Sequence, residues 1–491
     1  MNEAKTKMIA VILAAGEGKR MKSKKSKVLQ QVGGRAMIDA VIDAAKGAGA
    51  DEIVVVVGHM ADQVIAHVGD RAKCVFQHER LGTGHAVLQA QEFFAPAAAV
   101  APAAATAPTA ATAPTAAAAP AAATAPNVLV LCGDTPIITK ETLIQMVDTH
   151  KMDGNSGTYM TAITENPFAY GRIVRNADGS VKKIVEEVDC TPEEAQIKEL
   201  NSGMYCFKGE DLMLALSQLG NNNNQGEYYL TDTLEILNRN NKRCGAYVVK
   251  DFDETMGVND RIQLATAESI IKKRCNEKHM ANGVSIIDSL NTYISEDAVI
   301  GMDTTIYPGT IIDAGVVIGE DCVIGPNSRL TDARIGDEVT IKQSIVIESE
   351  VGDKTKIGPF AYIRPNCRIG KDVKIGDFVE IKNSNIGDKC SISHLTYVGD
   401  SDVGRNVNIG CGVVFVNYDG QKKHRSTIGD NCFIGCNTNL VSPIIMGEGA
   451  YTAAGSTITE DIPGFALAIA RERQINKIDW VTLKGRERKE K

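Results

Sequence analysis

Near the start of the chain, the stretch Leu13-Ala14-Ala15-Gly16-Glu17-Gly18-Lys19-Arg20-Met21 sets two glycines and a guanidinium directly after the apolar run Met8 to Leu13, and Lys27-Val28-Leu29 follows a few residues on. Glycines at such a turn let backbone N–H groups close on phosphate oxygens, and Arg20 and Lys27 supply the charge that a triphosphate requires. A second candidate is Asp134, in Gly133-Asp134-Thr135-Pro136, just beyond the apolar run Val128 to Leu131. Open α/β sheets bind their ligands at the C-terminal ends of strands, so Asp134 reads as a ligand-facing carboxylate as well as a turn residue. Far along the chain His394 lies in the polar segment Ser393-His394-Leu395-Thr396-Tyr397. An imidazole titrates close to neutral pH and can serve as a general base, although a lone histidine is often structural. The segment Asn417-Tyr418-Asp419-Gly420-Gln421-Lys422-Lys423-His424-Arg425 is polar and basic, as a site for an anionic ligand requires.

Two kinds of element must hold these groups. Residues 8 to 94 alternate short apolar runs (Ile9 to Leu13, Ile53 to Val57) with a helical pattern at Met37 to Ala48, which predicts βαβ units around a parallel, Rossmann-like sheet. An Ala/Pro/Thr tract at 95–126 interrupts this pattern; without periodicity or charge it can form neither a core nor a continuous helix, and it reads as a mobile surface insertion. The sheet pattern resumes at Val128 and runs to about Val258, and Arg261 to Lys278 reads as one helix leading out. From Ile294 an aliphatic residue recurs every six positions: Ile294, Ile300, Ile306, Ile312, Ile318, Ile324, Leu330, then, after slips, Ile335, Ile341, Ile347, and again Val351, Ile357, Ile363, Ile369, Ile375, Ile381. Further on come Ile386, Ile392, Val398, Val403, Ile409, Ile428, Ile434, Leu440 and Met446. A six-residue period fits neither an α-helix nor an ordinary strand, but it fits a left-handed parallel β-helix with one hexapeptide per face of a triangular coil. The aliphatics are expected to stack inward about 4.8 Å apart along the axis, with the glycines that follow many of them turning the corners. The interruption between Phe415 and Ile428 maps to a loop projecting from one face. The expected domains are 1–261, a helical linker 262–282, and a β-helix with C-terminal tail 283–491.

With 491 residues, at least two domains are expected. A net charge of -8, and no long basic run before the last few residues, argue against a nucleic-acid partner. The apolar run Met8 to Leu13 is too short for a signal segment or a membrane span, so the chain is expected to be cytoplasmic. The 12 cysteines are scattered, and Cys322, Cys367, Cys390 and Cys432 occupy repeat positions, which predicts reduced packing residues; the Cys432/Cys436 pair does not read as a zinc site.

The glycine-rich loop and Lys27 resemble the signature of the sugar nucleotidyltransferases, LAAGxGxRM followed by PKxL, with Ser26 in the proline position. The resemblance continues through Gln77, Leu81 to Ala86, Gly133 to Pro136, Tyr170-Gly171-Arg172, Val185-Glu186, Asn201-Ser202-Gly203 and Gly257-Val258-Asn259. Together with the hexapeptide solenoid it resembles the bifunctional UDP-N-acetylglucosamine pyrophosphorylase and glucosamine-1-phosphate N-acetyltransferase family over nearly the whole chain outside 95–126. That resemblance implies that Arg20 and Lys27 are catalytic. It implies that Leu13, Ala14, Ala15, Gly16, Lys27, Gln77, Gly82 and Thr83 bind UTP, with Gln77, Gly82 and Thr83 reading the uracil. Gly171, Glu186, Asn201 and Asn259 complete the UDP-sugar site, and Asp134 and Asn259 hold Mg2+. In the solenoid it makes His394 the catalytic base, with Glu380 and Asn417 orienting the histidine and the substrate amine. It gives Arg364, Lys382, Tyr397 and Lys423 to glucosamine 1-phosphate, with Asn408 at that site and along the acetyl-CoA groove, and it lines the groove with Cys411, Asn417, Tyr418, Cys436, Ala454 and Arg471. It further implies a homotrimer that makes precursors of the bacterial cell envelope. Two other readings keep the same folds: a single-activity sugar-1-phosphate nucleotidyltransferase with a regulatory β-helix, and a non-catalytic scaffold.

Overall fold

The computed structural model describes residues 6–94, 125–165, 167 and 170–486. The chain forms two compact units, Met1–Ile271 and Lys272–Lys491. In the first, the strands are β1 (Met8–Ala14), β2 (Glu52–Val57), β3 (Lys73–Phe76), β4 (Asn127–Cys132), β5 (Gly157–Ile163), β6 (Glu199–Lys208) and β7 (Cys244–Val248); β3 and β7 are only half-buried, whereas the other five bury most of both faces. They lie in the order β7-β5-β6-β4-β1-β2-β3. β1 pairs in parallel with β2 and β4, so Ile9 lies between Glu52 and Val128. Along this path, expected to be parallel, one strand is reversed: β6 runs antiparallel to both β4 and β5, and it shifts register between Asn201 and Tyr205. The helix Met37–Gly47 buries Ile38, Val41 and Ile42 against the sheet at the spacing of one helical face. The tract at 95–126 lies outside the described residues except for its last two positions, where the Pro126 carbonyl accepts a hydrogen bond from Gly209 N–H at 2.8 Å.

In the second unit successive coils contribute short strands to three parallel sheets of 11, 10 and 9 strands, which form the three faces of the prism. In one sheet Ile306, Ile324, Ile341, Ile357, Ile375, Ile392, Ile409 and Ile434 pair coil upon coil. All are buried, and together with the matching residues of the other two sheets they form one continuous core. Two expectations are corrected here. The inward residue of the strand Ile345–Ile347 is Val346, not Ile347: Val346 pairs with Leu330 and is fully buried, because the step from Ile341 to the next inward residue is five positions instead of six. Nor do most glycines after the aliphatics turn corners. The left-handed corner positions belong to residues such as Asp303, Asp321, Asp372 and Asn406, whose φ values are 59, 54, 55 and 55°. The glycines permit close stacking instead: a Cβ on Gly387 would lie 2.6 Å from the Gly404 carbonyl carbon of the next coil. The repeat cysteines pack as expected and also bond, the Cys390 thiol donating to Gly404 O at 3.0 Å and that of Cys432 to Gly447 O at 3.1 Å.

The helix expected at 261–278 runs Arg261–Ala281, and the division between the units falls within it. Its Ala267 and Ile271 pack with Met21, Met37 and Val258. Beyond the division, Asn276 Nδ2 donates to Ser289 O and Thr292 O at 2.9 and 3.1 Å.

One buried group gives the first unit a pH dependence. His150 is 1% exposed and shares a hydrogen bond with Thr158 Oγ1 at 3.0 Å, and its Nε2 has no partner among the described residues. Burial, then the nearby Lys208 and Lys151, lowers its pKa from 6.5 to about 4. The unfolded chain therefore binds the proton more readily, so this contribution to stability is complete above 6.5 and is lost as pH falls toward 4. Urea unfolding followed from neutral pH to pH 4 should show a smaller acid loss for His150→Gln than for the unaltered chain.

Candidate active sites

The first site lies where β1 and β4, adjacent and parallel, end side by side. The β1 end and the loop after it supply Leu13, Ala14, Ala15 and Gly16, the β4 end supplies Cys132 and Asp134, and together with Lys27, Gln77, Gly82 and Thr83 they line a cleft of about 280 Å³. Lys27 Nζ is bonded to Asp134 Oδ2, and it donates to Asn259 Oδ1 at 3.0 Å. Three residues far apart in sequence thus converge on one point. The carboxylate and the carboxamide oxygen are hard donors that share a single cation, the set from which Mg2+ takes one or two protein ligands beside substrate phosphate and water. No group of three or more His, Cys, Asp or Glu side chains is placed for a metal among the described residues. Gln77 is buried and donates to Gly82 O at 3.1 Å. Gly82 has φ +113°, and a Cβ there would lie 2.6 Å from Tyr228 O, so that position admits glycine alone.

The remaining predicted residues of this head divide into two groups. Asn201 N–H donates to Gly171 O at 2.8 Å, and Glu186 Oε1 accepts from Thr231 Oγ1 at 3.1 Å. Burial raises the Glu186 carboxyl above its usual range. Asn201 sits where β6 shifts register, and its Nδ2 donates to Tyr205 Oη at 2.8 Å. Arg20, in contrast, is exposed in the turn Lys19–Met21 and does not line the cleft. Arg80 does line it, held by Glu17 at 2.8 Å, as do Cys132 and Glu227; sequence reasoning missed all three. Arg80 belongs to the polar run before Leu81-Gly82-Thr83, and its charge was the available signal.

The second site is assembled by coil stacking. Asp377 pairs in register with His394 one coil on, and His394 Nδ1–H donates to Asp377 Oδ1 at 2.7 Å. The carboxylate fixes the tautomer and leaves the Nε2 lone pair free on a half-open surface. The His394 bond lowers the Asp377 carboxyl below its usual range. Glu380, expected to orient the histidine, is bound by Arg364 at 2.7 Å instead; the register places Asp377, not Glu380, opposite His394. The 17-residue spacing, one coil, was the signal that could have found Asp377.

Three residues beyond His394, Tyr397 pairs with Glu380, and around them the cations gather. Contact with the Lys423 ammonium, then burial, lowers Lys382 below its usual pKa, and Arg364 adds to the same field. Ammonium groups so arranged are relieved by an anion. Asn417 is buried; its Nδ2 is bonded to Asp400 Oδ2 and lies 3.3 Å from Tyr397 Oη. The loop that carries Lys423 is a small hairpin closed by a Tyr418–Lys423 bridge, with Asp419 held by His424 at 2.7 Å and Arg425 anchored on Asp402 at 2.5 Å.

On the other side of His394 the coils form a column. Asn437 N–H donates to Cys411 O and Gly455 N–H to Cys436 O, at 2.7 and 2.8 Å, so Cys411, Cys436 and Ala454 follow His394 at one corner of successive coils. Cys411 is half-buried and Cys436 exposed. Asn408 pairs with Ser391 and Phe433 on the adjoining face, and the Arg471 side chain lies against Gly455. The stacked rings of Phe433 and Tyr451, 5.3 Å apart and exposed on that face, were not anticipated.

A nucleotide-type cleft on an open α/β sheet and a histidine–carboxylate pair on a parallel β-helix define a nucleotidyltransferase joined to a hexapeptide-repeat transferase. The comparisons agree. The MobA-like NTP transferase domain matches residues 10–177, and the bacterial transferase hexapeptide repeat matches 291–332, 348–383 and 425–460. The chain is 54% identical over 484 residues to the bifunctional protein GlmU of Acetivibrio thermocellus, covering 99% of both chains. It is 50% identical over 477 residues to that of Clostridium kluyveri and 49% over 475 to that of Bacillus subtilis, covering 97% of this chain and 98% of each relative. The chain belongs to the bifunctional GlmU family. No helix among the described residues is long and apolar enough to cross a membrane.

The Asp377–His394 pair generates a direct expectation for the second site. Asp377→Asn should lower kcat for acyl transfer about 10- to 100-fold, because an amide stabilises neither the required tautomer nor the imidazolium. The acceptor KM should change little; steady-state assay of thiol release checks both.

Proposed function

We propose that the β-helix transfers acetyl from acetyl-CoA to glucosamine 1-phosphate, and that the N-terminal head then transfers uridylyl from UTP to the N-acetylglucosamine 1-phosphate so formed. The observation that carries this reading is the placement of a proton acceptor between a cationic cluster and a groove: Asp377–His394, beside Arg364, Lys382 and Lys423 on one side and Cys411, Cys436 and Ala454 on the other. The cations suit the phosphate of an amino sugar, and the column suits an extended thioester. His394 Nε2 takes the proton as the amine attacks the thioester carbonyl, and Asp377 stabilises the imidazolium. Asn417, Tyr397 and Asp400 hold the acceptor side in place, and backbone N–H groups of the column face the developing oxyanion.

In the first head the acceptor's phosphate oxygen attacks the α-phosphorus in line, and pyrophosphate leaves. The glycine-rich loop fixes the triphosphate, and Lys27 and Arg80 offset its charge. Gln77, Gly82 and Thr83 hold the base, while Gly171, Glu186 and Asn201 hold the sugar. Asp134 and Asn259 would hold Mg2+, which supplies charge neutralisation at the phosphates when bound. Neither head forms a covalent intermediate with the protein. Assembly as a homotrimer, cytoplasmic location and supply of cell-envelope precursors complete the proposal.

Separate loss of the two activities tests it. Asp134→Ala, or chelation of Mg2+, should reduce uridylyl transfer at least 100-fold and leave acetyl transfer unchanged, whereas His394→Ala should do the reverse. Unchanged thiol release in His394→Ala would favour a regulatory β-helix, and uridylyl transfer insensitive to Asp134→Ala would favour a scaffold.

A further inference from the structure

Ser26 stands where the nucleotidyltransferase signature has proline, immediately before Lys27. Its backbone nevertheless adopts φ -52° and ψ 143°, the conformation a proline ring imposes, and the residue is 3% exposed. The constraint comes from outside the segment. Ser26 N–H, a donor that proline lacks, bonds to Gln63 Oε1 at 3.0 Å, and Gln63 Nε2 donates to Lys24 O at 3.1 Å. One carboxamide on the helix Ala61–Val68 thus clamps two peptide groups of the segment leading into Lys27. Beyond the clamp, Leu29 N–H bonds to Ser26 O and Gln30 N–H to Lys27 O, at 3.1 Å each, so the held backbone passes directly into the turn that carries Lys27. The Lys27 side chain runs from there to Asp134 and Asn259. Gln63 itself does not line the cleft.

We propose that Gln63 is a positioning residue for Lys27: its side-chain clamp on Lys24 and Ser26 replaces the proline ring and fixes the origin of the Lys27 ammonium in the nucleotide cleft. The inference rests on reading this head as a uridylyltransferase. A freed segment lets the ammonium wander from its position, and small misplacements of a charge-neutralising group cost rate.

The full chain tests this with Gln63→Ala, Ser26→Pro and the double variant. Gln63→Ala should lower kcat/KM for uridylyl transfer about five- to tenfold, and acetyl transfer in the same molecules should be unchanged. Adding Ser26→Pro should recover activity to within about twofold of the unaltered chain, because the ring restores the lost constraint. Hydrogen–deuterium exchange gives a readout that does not depend on activity: protection of the Leu29 and Gln30 amides should fall in Gln63→Ala and return in the double variant. A Gln63→Ala variant with full activity and full protection, or a loss that Ser26→Pro fails to recover, would overturn the clamp. Should the unaltered chain transfer no uridylyl group, the functional reading falls while the exchange pattern still decides the clamp.

Discussion

Parallel pairing in fixed register is the constraint on which both heads depend. In the first, β1 and β4 run side by side in one direction, so the loops that leave their C-terminal ends must open onto the same cleft; this is why Gly16 and Asp134 share it. In the second, each coil lies in register on the last, and a residue meets its counterpart 16 to 18 positions away, or 25 across the projecting loop. Asp377 and His394 touch because one coil separates them, and Cys411, Cys436 and Ala454 follow for the same reason. The aliphatic core sets this register, since a slip of one residue would turn every inward side chain to solvent. The glycines stacked between coils let the backbones approach closely enough for the ladder to form.

Charge is handled differently in the two heads. In the first, Lys27 is paired with Asp134 and Asn259, so its charge is already satisfied within the protein. In the second, the Lys423 ammonium lowers the Lys382 pKa and the Asp400 carboxylate acts against it, so the positive field there is only partly offset. The histidine is oriented by a carboxylate, Asp377, that belongs to neither charge cluster.

Much of this was legible in the residues. The six-residue aliphatic period marks the β-helix unambiguously, and the glycine-rich loop, Lys27 and Asp134 mark the nucleotide cleft. What escaped depends on geometry that spacing alone does not give. Val346 replaces Ile347 inside because the coil shortens there, which leaves two adjacent aliphatics with equal claims on the core. Asp377 and Glu380 lie three residues apart, and only the register places Asp377 opposite His394. Arg20 matches the signature yet stands exposed, whereas Arg80, outside any glycine motif, reaches the cleft wall. The reversed strand β6 carries no mark in a sequence whose hydrophobic pattern is the same in either direction.

Mass spectrometry of the products formed when one preparation receives glucosamine 1-phosphate, acetyl-CoA, UTP and Mg2+ together addresses the central claim most directly. Two transfers in sequence by one chain predict UDP-N-acetylglucosamine, pyrophosphate and free CoA, with the nucleotide sugar absent when acetyl-CoA is withheld. Formation of a nucleotide sugar that retains a free amine, with acetyl-CoA unconsumed, would contradict it.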